Sequence, residues 1–178
     1  MHRDIEQILF AEEALQAKVT EMGRAIAVDY QDKNPMLIGV LKGSFIFMAD
    51  LVRAMDLPCQ IEFFGVSSYG NKSETTGAVR ITRDLETDIE GRHIIIVEDI
   101  LDSGLTLNYL MEYFQSRRPA SIEICTLLDK PERRRVEILP RYIGFQIPDA
   151  FVVGYGLDFA ERYRNLPYIG VLKPEVYA

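Results

Sequence analysis

Ile94-Ile95-Ile96-Val97-Glu98-Asp99-Ile100-Leu101-Asp102-Ser103-Gly104-Leu105-Thr106-Leu107 decides the fold. Ile94 to Val97 is an unbroken β-branched run, which fits a strand buried on both faces of a parallel sheet. Glu98 and Asp99 follow at its carboxyl end, where ligands of open α/β sheets bind. Asp102 to Thr106 is rich in small and hydroxyl residues, and a helical pattern begins near Leu107. A tight turn at a helix start exposes several backbone N–H groups, and with the helix dipole these favour a phosphate. Gly104 permits close backbone approach, and Ser103 and Thr106 add hydroxyl donors. Carboxylates beside a phosphate site make sense if the ligand also offers hydroxyls or Mg2+. A sugar phosphate with magnesium satisfies both halves. The simpler alternative, Asp102 or Ser103 merely capping the helix, leaves Glu98 and Asp99 unexplained.

Outward from this stretch, strands alternate with helices. Residues 11–30 carry Leu15, Val19, Met22 and Ile26 on one helical face. Asn34-Pro35 ends that pattern, and Met36 to Leu41 reads as a buried strand. Lys42-Gly43-Ser44 then forms a second strand–glycine–helix junction, with Ser44 placed as an N-cap and the helix running to Met55. It is either an ordinary turn or a second anion site. Ile61 to Val66 is a strand, followed by a long polar loop, Ser67 to Gly77, in which Tyr69 stands out as a lid residue. Ser121 to Leu128 is a strand with Lys130 just beyond its end. Arg133, Arg134 and Arg135 read as a solvated face or a subunit contact. Tyr142 to Phe145 and Phe151 to Tyr155 are late strands, and the second leads into a segment where aromatics interleave with Asp158, Arg162 and Arg164. There a ring could stack on a flat heterocycle, a carboxylate could hold a metal and an arginine could meet phosphate.

The expected fold is therefore α/β, a mainly parallel twisted sheet flanked by helices, with the later strands capping its carboxyl edge. At 178 residues the chain suits one domain, 1–178, with one sizeable core. Hydrophobic residues at 48% and charged residues at 26% are ordinary for a soluble globular protein. No apolar run is long enough to span a bilayer, and Met1 to Glu6 lacks a signal peptide's apolar core. Cys59 and Cys125 are too few for a disulfide framework, so buried thiols in a reducing cytoplasm are expected. A net charge of −7 argues against a broad nucleic-acid surface.

The motifs, taken in order, resemble those of the type I phosphoribosyltransferases, and most closely the short bacterial members of the hypoxanthine (hypoxanthine-guanine) branch. Leu41-Lys42-Gly43 looks like the family's pyrophosphate loop, Ser67-Ser68-Tyr69-Gly70 like its catalytic loop, and Val97 to Thr106 like its ribose-phosphate signature. Leu128-Asp129-Lys130 looks like its purine-reading segment, and Phe151 to Leu166 like its base-stacking and metal segment. The resemblance runs from about residue 10 to residue 172.

It implies the family's fold, with a small hood built from the N- and C-terminal segments. It also implies Mg2+-dependent joining of hypoxanthine, and of guanine, to 5-phosphoribosyl 1-pyrophosphate, giving IMP or GMP and pyrophosphate. The implied roles fall on named positions. Ser103, Gly104, Leu105 and Thr106 hold the 5-phosphate, and Glu98 and Asp99 meet the ribose hydroxyls. Lys42, Gly43 and Arg164 meet pyrophosphate, with Ser68 and Tyr69 on the closing loop. Asp158 binds the metal, with Glu98 and Asp99 as further candidates. Phe151 stacks on the purine, Val152 reads its edge through the backbone, and Lys130 donates to the oxygen at C6. Asp102 carries proton transfer at N7. A homodimer or homotetramer in the cytoplasm is implied, without nucleic-acid or membrane partners. The rival of another class is a regulator of the same fold that senses the ribose diphosphate and binds RNA; the net charge of −7 and the acid at Asp102 weigh against it.

Overall fold

The computed structural model describes residues 1–68 and 79–178. Tyr69 and most of the expected polar loop lie outside the described residues.

Six strands form the main sheet: β2 (Met36–Leu41), β3 (Gln60–Ser68), β4 (Val79–Arg83), β5 (His93–Leu101), β6 (Ser121–Asp129) and β7 (Tyr142–Gln146). Their order is β4-β3-β2-β5-β6-β7, and all neighbours are parallel except β3 with β4. The β-branched run of β5 explains its central place. Ile95 and Val97 face one side, toward α1 (Glu12–Asp29) and α2 (Phe45–Ala54). Ile94 and Ile96 face the other, toward α3 (Leu105–Gln115). All four are 0% exposed, and each such side chain contributes ~1.5–3 kcal/mol on burial. Leu15, Val19, Met22 and Ile26 of α1 are buried, as the helical spacing predicts. Cys125 is buried and Cys59 is half-buried; both are free thiols.

A second, antiparallel sheet has the order β1-β9-β8, from β1 (Ile5–Phe10), β8 (Val152–Val153) and β9 (Ile169–Leu172). It ties an N-terminal segment to two C-terminal ones, and a short helix, α4 (Pro174–Tyr177), follows it.

Several details differ from expectation. First, Tyr142–Gln146, expected in the cap over the carboxyl edge, is instead the edge strand of the main sheet, parallel to β6, and the late strand expected over Phe151 to Tyr155 is only Val152–Val153. Second, β5 does not end at Val97 but runs to Leu101. The reason is lopsided pairing: β6 stays in register with β5 out to Leu101↔Asp129, while β2 pairs with β5 only as far as Gly39↔Val97. From Glu98 onward the β2 side of β5 is open. This gap lies at the sheet's topological switch point, since the chain moves from β2 to β3 on one side and from β5 to β6 on the other. Third, Ser44 is not a side-chain cap; its hydroxyl donates back to the Val40 carbonyl at 2.6 Å. Fourth, α3 begins at Leu105 rather than near Leu107, with Gly104 at its N-cap position.

Candidate active site

The open gap between β2 and β5 becomes a pocket of about 310 Å³. Its walls include Lys42 and Gly43 after β2, Glu98 to Gly104 and Thr106, and Asp158 and Arg164 from the segment after β8. Gly104 makes the turn possible. Its φ is +84°, a left-handed conformation that disfavours side chains. Ser103 Oγ accepts from the Leu105 N–H at 3.4 Å. Leu105 itself does not line the pocket.

The glycine of Lys42-Gly43 has a cause the sequence hides. A Cβ on Gly43 would land on the Asp99 carboxylate, and a Cβ on Gly156, at φ +104°, would strike the Gly43 carbonyl. Three segments meet there without room for a side chain.

The acid wall is costly. Glu98 is 9% exposed. Burial first, then the Asp99 carboxylate beside it, pushes the Glu98 carboxyl well above its usual range. Burial also raises Asp99, against the Ile100 N–H that donates to its Oδ1 at 2.7 Å and against the field of Arg164. Asp158 is already engaged: Oδ1 pairs with Arg164 Nη2 at 3.1 Å, and Oδ2 accepts from the Glu161 N–H at 2.8 Å. Arg164 Nη1 donates to the Gly156 carbonyl at 2.8 Å, while its buried Nε finds no partner among the described residues. Among the described residues no three acids, histidines or cysteines converge as a ready-made metal cage.

A second pocket, about 700 Å³, adjoins the first and shares Asp99, Ile100, Asp102 and Asp158 with it. Lys130, Phe151, Val152 and Tyr177 supply much of its remaining wall. Lys130 is 7% exposed, and its N–H donates to the Leu101 carbonyl at 2.9 Å, fixing it beside the end of β5. Phe151 is 37% exposed, stacks on Tyr177 at 4.7 Å between ring centres and meets the edge of Phe159. Phe151 and Tyr177 thus put aromatic rings on the pocket wall among the polar groups of Asp99, Asp102, Lys130 and Asp158.

The arginine run is largely exposed, as a solvated face requires, yet its side chains also reach the site. Arg133 Nε donates to Asp102 Oδ1 at 2.8 Å, and its Nη1 to Asp149 Oδ2 at 3.2 Å. Asp149 also lies 3.7 Å from Lys130 Nζ. Arg134 donates to the Asp102 carbonyl at 2.7 Å and pairs with buried Asp129. The Arg135 backbone N–H donates to the Ser103 carbonyl at 2.9 Å, so all three arginines brace the turn that carries Asp102. Reasoning from the sequence missed Arg133, Asp149, Ile100 and Tyr177; only Tyr177, an aromatic beside other late aromatics, left any signal. Ser68 ends β3, where its backbone pairs with Val79 of β4.

One pocket thus offers an anion-binding turn, cations and carboxylates, and its neighbour offers an aromatic face and a buried lysine. Such a lining can accommodate a phosphate-bearing sugar and a flat base, as a transferase between the two requires. A family model described as the phosphoribosyl transferase domain matches residues 6–160, and the chain belongs to that family. It is 57% identical over 177 residues to the hypoxanthine-guanine phosphoribosyltransferase of Bacillus subtilis (strain 168), covering 99% of this chain and 98% of that one. It is 51% identical over 178 residues to that of Staphylococcus epidermidis (strain ATCC 12228), covering 100% and 99%. A crystal structure of a Staphylococcus aureus hypoxanthine phosphoribosyltransferase superposes with a TM-score of 0.97 at 50% identity, over 100% of this chain and 97% of that one.

Proposed function

We propose that the chain is a purine-salvage phosphoribosyltransferase that joins hypoxanthine and guanine to 5-phosphoribosyl 1-pyrophosphate, giving IMP or GMP and pyrophosphate. The observation that carries this is the junction of the two pockets. Asp102 lines both, so a ribose in the first and a purine in the second would meet beside its carboxylate.

The residues divide the work. The turn of Ser103, Gly104, Leu105 and Thr106 holds the 5-phosphate by backbone N–H groups and hydroxyls. Glu98 and Asp99 accept from the ribose hydroxyls, which relieves two carboxylates that burial disfavours. Lys42, the Gly43 backbone and Arg164 hold the pyrophosphate. As the C1–oxygen bond loosens, these cations meet the growing negative charge of the leaving group. Purine N9 bonds to C1, and Asp102 takes the proton from N7. Ser68 and Tyr69 belong to the loop that keeps water from the ribose cation.

The oxygen-rich walls suit Mg2+, but not as a protein-only cage. A magnesium ion takes one or two carboxylates and completes its shell with substrate oxygens and water. Asp158 would hold it, with Glu98 and Asp99 close to the ribose hydroxyls. Bound there, it neutralises the leaving pyrophosphate.

Base choice follows from Lys130. Its buried ammonium donates, so it favours a carbonyl at C6 over the amine of adenine. Two donors left unpaired would cost ~1–3 kcal/mol. Phe151 stacks on the ring, and the Val152 backbone reads its edge.

The assembly we propose is a homodimer or homotetramer in the cytoplasm, with the second sheet as the hood of a single domain spanning 1–178. Among the described residues no helix is long and apolar enough to cross a membrane.

The test is product formation from 5-phosphoribosyl 1-pyrophosphate and Mg2+ with hypoxanthine, guanine, xanthine and adenine in parallel. Turnover of hypoxanthine and guanine with little from adenine is expected. Absence of turnover with every base, in a folded protein that still binds the ribose diphosphate, would replace the enzyme with a sensing regulator.

A further inference from the structure

Glu161 has no task in the chemistry above, yet its carboxylate reaches both cations assigned to pyrophosphate. Oε2 accepts from Lys42 Nζ at 3.2 Å, and Oε1 from Arg164 Nη2 at 3.4 Å. Lys42 follows β2 and Arg164 follows β8, so one side chain bridges two walls of the pocket. The local backbone aims it there. Ala160 and Glu161 have φ of +50° and +60°, and the Glu161 N–H is anchored on Asp158. The hydrogen bond from Lys42, then the charges of Arg164 and Lys42, holds the Glu161 carboxyl below its usual range.

We propose that Glu161 is a built-in counter-anion of the pyrophosphate subsite: it competes with pyrophosphate for Lys42 and Arg164, weakens its hold and speeds its departure. This rests on the reaction proposed above. The pocket wall already sets Glu98, Asp99, Asp102 and Asp158 against Lys42 and Arg164. Glu161 adds a negative charge directly on those two cations. A diphosphate must break both ion pairs to take their place. The opposite role, a strut that aims the two cations at the ligand, predicts the reverse effect of removing it.

The experiment measures dissociation constants of magnesium pyrophosphate by calorimetry for the wild type, Glu161→Gln and Glu161→Ala, at low and high salt, with IMP in parallel. Glu161 is exposed at 65% of its side chain, so neither substitution disturbs the core. Both variants should bind pyrophosphate roughly two- to tenfold tighter at low salt, the combined scale of two exposed ion pairs, and less so at high salt. IMP affinity should not move. Unchanged or weaker pyrophosphate binding in both variants overturns the proposal, as does an equal tightening of IMP. A wild type that makes nucleotide and binds pyrophosphate while the variants fail to tighten overturns this inference alone. A wild type that does neither overturns the reaction and this inference together.

Discussion

Gly104→Ala separates the structural role of the phosphate turn from its binding role. At φ +84° an alanine costs ~1–2 kcal/mol in backbone strain alone. Its Cβ would also stand 3.0 Å from a methyl of Ile138 and a methyl of Val136, and 3.2 Å from Arg134 Cδ. These neighbours lie in an irregular stretch that can give by a few tenths of an ångström, so overpacking adds about 1 kcal/mol, the low end for such contacts. The total is about 2–3 kcal/mol, which for a chain of this size lowers Tm by roughly 4–12 °C. Gly91 provides the control. It has φ +70° with nothing within 4 Å of an added Cβ, so Gly91→Ala isolates the backbone strain. It lies before β5, at the opposite end of that strand from the site. Thermal melts should therefore rank wild type above Gly91→Ala and Gly91→Ala above Gly104→Ala. Calorimetry should show IMP binding weakened by Gly104→Ala and untouched by Gly91→Ala. Equal destabilisation by the two substitutions would refute the contact argument, and full IMP affinity in Gly104→Ala would remove the turn from the phosphate site.

Three further outcomes are expected. The folded chain holds the Glu98 proton more tightly than the unfolded chain does, because burial and Asp99 raise its carboxyl. The resulting cost is absent below the unfolded value and grows as pH rises through the folded one. Glu98→Gln should therefore melt above the wild type at neutral and alkaline pH and converge with it in acid; a variant less stable than the wild type at alkaline pH would contradict this. Asp102→Asn should lower kcat by ~100- to 10,000-fold while the dissociation constant of the ribose diphosphate stays close to that of the wild type, and unchanged turnover would strip Asp102 of its proton-transfer role. Lys130→Met should narrow the preference of kcat/KM for hypoxanthine over adenine by ~5- to 150-fold, the equivalent of ~1–3 kcal/mol; an undiminished preference would place base selection elsewhere.

The central strand and its acid-tipped end were legible because their signals are local. A run such as Ile94 to Val97 has few uses other than a strand covered on both faces. Strands β1 and β9 were not legible. Ile5 to Phe10 mixes apolar and polar residues, and its partner lies at Ile169–Leu172, so the signal resides in a pairing across nearly the whole chain. Gly43 could be read as a turn glycine, but its reason is the Asp99 carboxylate pressed against it, a contact between segments. The pairing of Arg133 and Arg134 with the site acids was hidden for the same cause. A run of like charges looks solvated until the fold brings Asp102, Asp129 and Asp149 to it.

That pairing matters to the site as a whole. A phosphate-binding turn surrounded by Glu98, Asp99, Asp102 and Asp158 is electrostatically self-defeating unless cations arrive from elsewhere. Among the described residues they arrive from three places: Lys42 after β2, Lys130 and Arg133 after β6, and Arg164 after β8. Each is tied to an acid, Lys42 to Glu161, Lys130 and Arg133 to Asp149, and Arg164 to Asp158. With the site roles proposed above, a ligand would exchange ion pairs rather than enter a free cationic hole. Such an exchange limits net affinity, because each new contact replaces an old one. For an enzyme that must release both a nucleotide and a pyrophosphate in every cycle, weak net binding of products is an advantage, and with the roles proposed above the contacts of Glu161 with Lys42 and Arg164 are where that advantage would be most directly built in.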